Sequence, residues 1–67
     1  MTTRYFIDEC HRFLRALLEK HTDAEINAGF TGLCHVYAKV EDSQIAFTYM
    51  RRCCEKYESW IAQRTIQ

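Results

Sequence analysis

The chain has 67 residues, 48% of them apolar and 13% aromatic, and its nine Lys and Arg balance nine Asp and Glu to a net charge of zero. So short a chain holds one domain at most and buries only about 60% of its unfolded surface, which makes a lone monomer marginal. A neutral balance removes the basic excess on which phosphate-dependent binding rests, and no apolar run approaches the roughly 20 residues that span a bilayer.

The opening stretch MTTRYFIDEC lacks the basic and apolar regions of a secretory signal. The expectation is a cytoplasmic chain whose four cysteines are reduced, not a disulfide scaffold. There is no proline, and Gly29 and Gly32 are the only glycines, so the chain has few stops and favours helix.

The first helix is expected over residues 3–21. At about 100° per residue, Phe6, Ile7, Cys10, Phe13, Leu14, Leu17 and Leu18 share one continuous arc. Asp8, Glu9, Arg12, Arg15, Glu19 and Lys20 fill the other side, with Asp8–Arg12 and Arg15–Glu19 spaced as i,i+4 ion pairs.

Thr22 and Glu25 then form a capping-box pattern that opens a second helix over residues 23–40. Its apolar positions, among them Ile26, Phe30, Leu33, Cys34 and Tyr37, spread over half the wheel, as in a helix covered on two sides. Each glycine costs about 1 kcal/mol inside a helix. One helix is expected to run through both, closely packed at Gly32, with a bend at GFTG as the alternative.

Asp42 or Ser43 caps a third helix over residues 43–64. Phe47, Met50, Cys54, Tyr57 and Ile61 make its central stripe, and Tyr49, Cys53 and Trp60 widen it beyond what two short neighbours cover. The excess reads as the seam of a homodimer. The fold class is therefore all-α: a compact three-helix bundle, or a helical hairpin unit completed by homodimerisation.

FIDECHRF and FTGLCHVY echo one another, each placing Cys-His between aromatic rings. On a helix the His points about 100° away from its Cys, so one metal ion cannot take both. Neither C-x-x-C nor an i,i+4 histidine pair is present. A metal- or thiol-sensing bundle would have to assemble Cys10, Cys34 and Cys54 across helices, with His21 or His35 as a fourth ligand. Packing is the plainer reading, with Cys54 buried, Cys53 nearer the edge and His35 outward.

Catalysis has no constellation to stand on: no nucleophile with an oriented base, no P-loop, and carboxylates on outward faces. Arg51, Arg52 and Lys56 make a basic face for a DNA-associated regulator, though Glu55 and Glu58 interrupt it. No cofactor or metal is expected. By elimination the sequence points to a small non-enzymatic interaction protein that dimerises and modulates a larger partner, an economy suited to a bacterial or phage accessory protein. Tyr5, Tyr49, Tyr57 and Trp60 are its candidate anchors, since Tyr and Trp dominate binding hot spots.

Overall fold

The computed structural model describes residues 2–65. Three helices follow in chain order, α1 (Thr3–Leu18), α2 (Asp23–Tyr37) and α3 (Ser43–Thr65), and the described residues contain no strand. Short connections make α1 and α2 antiparallel, and α2 and α3 antiparallel, so α1 and α3 run parallel. The side chains agree: Phe6 meets Tyr37, Phe13 meets Phe30, and His11 and Phe13 meet Tyr49 and Tyr57. The bundle is elongated, 40 × 17 × 17 Å.

Each helix boundary has a local cause. The Thr2 hydroxyl caps α1 by accepting from the Tyr5 N–H at 3.3 Å. At the other end the Lys20 N–H donates to the Leu17 carbonyl and the His21 N–H to that of Ala16, with Lys20 at φ 58°. This is a Schellman closure with lysine where glycine is usual. It stops α1 three residues short of the expected 21.

The Thr22–Glu25 capping box is present in both directions, with the Thr22 N–H donating to the Glu25 carboxylate at 3.0 Å and the Glu25 N–H to the Thr22 hydroxyl at 3.2 Å. Donation by the Thr22 backbone, then by its hydroxyl, holds the Glu25 carboxyl below its usual range. Asp42 caps α3 by accepting from the Ile45 N–H at 3.1 Å.

The helix α2 continues unbroken through both glycines. Their roles are not as expected. A methyl at Gly29 would meet the Phe13 ring at 3.5 Å, an ordinary contact, whereas nothing lies within 4 Å of one at Gly32. Gly32 is therefore not a close-packing point. Gly32→Ala should raise the unfolding free energy by about 0.5–1 kcal/mol through helix propensity alone. Urea titration followed by circular dichroism reads the gain, and a loss would mean the site is covered.

The core consists of Phe6, Cys10 and Phe13 from α1, Ile26 and Leu33 from α2, and Ala46, Met50 and Cys53 from α3. α1 lies against both other helices, while α2 and α3 touch along a shorter line. That asymmetry sets the rotation of α3. Its inward ridge is Ala46, Met50 and Cys53, at i, i+4 and i+7, turned toward α1.

The expected centre of the stripe is displaced in consequence. Cys53 is fully buried and Cys54 only half-buried, the reverse of the sequence reading, and Phe47 is 58% exposed. Cys34 is also exposed, although it lies near Cys54 of α3. The ion pairs differ too: Arg4–Asp8 at 3.8 Å and Arg12–Glu9 at 3.7 Å replace the two expected, and Glu19 instead meets His21 at 3.2 Å. Each has at least one well-exposed partner and adds little.

Candidate docking groove

A groove of about 510 Å³ opens between α1 and α3, on the side away from α2. Leu14, Leu17 and Leu18 form one wall, and Trp60, Lys56 and Ser59 the other. Leu18 stands 83% exposed at its rim. The α1 wall belongs to a longer stripe: Ile7, His11, Leu14 and Leu18 follow one another at spacings of four, three and four. That rhythm keeps side chains on one flank of a helix and is the spacing of a helix-packing seam. Within the monomer α3 covers this flank only in part: Ile7 and Leu14 are half-buried, His11 is exposed against the edge of Tyr49 with ring centres 5.8 Å apart, and Leu18 is open.

The four aromatic anchors expected from the sequence divide into two pairs. Tyr5 is exposed and Tyr49 half-buried beside His11. Tyr57 and Trp60 are engaged within the chain. The Tyr57 ring stacks on Phe30 at 4.0 Å between centroids and on Trp60 at 5.7 Å, and its hydroxyl donates to the Asn27 side-chain carbonyl. The Arg64 guanidinium lies 3.8 Å over the Trp60 ring and donates to Asp23 at 2.8 Å. This ladder of rings bridges α2 and α3 where their backbones stand apart. Trp60 is thus half-buried, held by Tyr57 and Arg64, and still lines the groove.

On a helical wheel Leu14, Leu17 and Leu18 are continuous with the core residues of α1, which hides the groove. Its signal was the width of the α1 arc. Phe6, Cys10 and Phe13 mark the inward direction, and Ile7, Leu14 and Leu18 lie roughly 80–120° around from Phe6.

Arg51, Arg52 and Lys56 are all exposed. Arg52 and Lys56 lie one turn apart, with Lys56 on the groove wall, while Arg51 points about 100° from Arg52.

The thiols also separate. Cys10 and Cys53 are both fully buried, and the Cys53 Sγ lies 3.9 Å from the Cys10 carbonyl oxygen. A hydrogen bond with the Cys53 thiol, together with burial, pushes the Cys10 thiol far above the usual range. Cys54 is raised too, by burial first and then by the nearby Cys34 and Cys53. Among the described residues no three His, Cys, Asp or Glu are grouped to hold a metal ion, so Cys10, Cys34 and Cys54 do not converge with His21 or His35. Since a reagent must reach the sulfur and Cys34 is the exposed thiol, a native titration with a thiol reagent should modify Cys34 first and Cys54 more slowly. Cys10 and Cys53 should react only after denaturant, as peptide mapping will show. Equal rates at all four would contradict this packing.

No described helix is long and apolar enough to cross a membrane. No family model, curated protein or solved structure matches the chain.

Proposed function

We propose that the chain is a small, non-enzymatic helical interaction module that self-associates and modulates a larger protein. One observation carries the reading: two separate apolar faces lie open on a chain of this size. The first is the α1–α3 groove with Leu18 at its rim. The second is the opposite flank of α3, where Phe47, Cys54 and Ile61 recur every seven residues; Phe47 and Ile61 are exposed and Cys54 half-buried. Contiguous apolar surface of this kind marks interaction sites. Two faces allow one for a second copy and one for a partner.

The test is affinity capture from the native host lysate, with and without nuclease, using the wild-type chain and the double variant Phe47→Glu/Ile61→Glu. The reading predicts a protein recovered in both nuclease arms and lost with the variant. Recovery that disappears on nuclease treatment would transfer the assignment to a DNA-associated regulator acting through Arg51, Arg52 and Lys56.

A further inference from the structure

Three observations on the α1 flank bear on what covers it. The first is the seam itself. Ile7, His11, Leu14 and Leu18 have the spacing at which one helix inserts side chains between those of another, and α3 covers the stripe only in part, leaving His11 and Leu18 exposed and Ile7 and Leu14 half-buried.

The second is the charge order along the solvent side of the seam, which runs Arg4, Asp8, Arg15, Glu19. Read antiparallel against itself, this order sets positive against negative. When Ile7 meets the partner subunit's Leu18 and His11 meets the partner subunit's Leu14, Asp8 falls beside the partner subunit's Arg15. Arg4 falls toward the partner subunit's Glu19. A parallel pairing would set each charge against its own copy, which is repulsive.

The third is area. The folded chain exposes 4966 Å², against about 4,450 Å² for a typical monomer of 8.0 kDa. The excess of roughly 500 Å² is spread over the elongated bundle and includes the open groove and Leu18. Zero net charge leaves no general repulsion between copies.

We infer that the α1–α3 groove is closed by a second copy of this chain, with α1 packed antiparallel on α1 about a two-fold axis. Such an axis gives a self-complementary interface, in which Ile7 of each copy reaches Leu18 of the other at the groove beside Trp60. The inference rests on the interaction-module reading and specifies the face used for self-association. Lys56, Ser59 and Gln63 then form the polar rim on the α3 side.

Analytical ultracentrifugation of the full chain tests it. Wild type should sediment as a dimer of about 16 kDa at tens of micromolar, twice the chain mass. Leu18→Glu should be monomeric with unchanged helical circular dichroism, because Leu18 contributes almost nothing to the monomer core. Asp8→Arg should weaken the dimer about tenfold through like charge against Arg15. The exchange Asp8→Arg/Arg15→Asp should restore it, which neither a parallel seam nor a general loss of folding would do.

A monomeric wild type, a Leu18→Glu dimer as tight as wild type, or an exchange no better than Asp8→Arg alone would each overturn the seam. A monomer that still captures a partner protein through the Phe47 face would sink the seam and leave the interaction-module reading standing. A dimer that captures nothing would do the reverse.

Discussion

Phe13→Ala is expected to lower the unfolding free energy by about 3–5 kcal/mol, the usual cost of deleting a buried aromatic ring and leaving a cavity. Phe13 is 5% exposed and sits where all three helices meet. Its ring contacts Phe30 of α2 at 5.6 Å and Tyr57 of α3 at 6.1 Å, and it lies against the space left by Gly29. A domain of this length has only about 3–10 kcal/mol of stability in total. The alanine variant should therefore be largely unfolded at 25 °C, while Phe13→Leu should retain most of the helical signal. Urea and thermal denaturation followed by circular dichroism measure both. A loss below about 1 kcal/mol for Phe13→Ala, the cost of an ordinary surface change, would show that this ring is not the junction.

The second large effect is expected at Tyr57, where ring and hydroxyl can be separated. Tyr57→Ala removes the stacks on Phe30 and Trp60 and the edge contact with Phe13. It should cost about 3 kcal/mol. Tyr57→Phe keeps the rings and loses only the hydrogen bond to Asn27, a cost of about 1 kcal/mol. Because α2 and α3 touch along a short line, the ladder is their principal connection. The alanine variant should therefore speed hydrogen exchange in α2 more than in α1. Uniform acceleration across all three helices would place the ladder's contribution in the whole bundle and not in the α2–α3 junction.

Much of the fold is legible in the chain because its signals are local. The capping box at Thr22 and Glu25, the cap at Asp42, and the absence of proline set the helix starts within the 67 residues without reference to packing. The end of α1 is less visible, because Lys20 adopts the left-handed conformation that sequence rules reserve for glycine.

The rotation of α3 is not legible for a different reason. Its apolar arc is wide enough to be centred on either Cys53 or Cys54, and only the closer approach to α1 selects Cys53. One residue's rotation, about 100°, exchanges a buried thiol for a half-buried one and leaves Phe47 in solvent. The docking groove was hidden likewise. Leu14, Leu17 and Leu18 look like core on a helical wheel, and only the position of α3 shows that Leu14 and Leu17 pack at the core's edge while Leu18 is left in solvent.

The cysteines and aromatics teach the same point. The Cys-His echo resolves into packing at Cys10, which meets Cys53 in the core, but Cys34 of the second copy of the motif is exposed. By residue type alone, Tyr57 and Trp60 are expected as anchors for a partner. The structure engages both rings within the chain and leaves only the groove side of Trp60 open to another molecule.

Trp60 is the sole tryptophan, which makes it a direct reporter of the central claim that a second chain closes the α1–α3 groove. Acrylamide quenching of its fluorescence should be followed as the wild-type chain is diluted from roughly 100 to 0.1 µM, a range over which a dimer of moderate affinity dissociates by mass action. Quenching should rise on dilution, and Leu18→Glu should show the high value at every concentration. Quenching of the wild-type chain that is independent of concentration and equal to that of Leu18→Glu would contradict that claim.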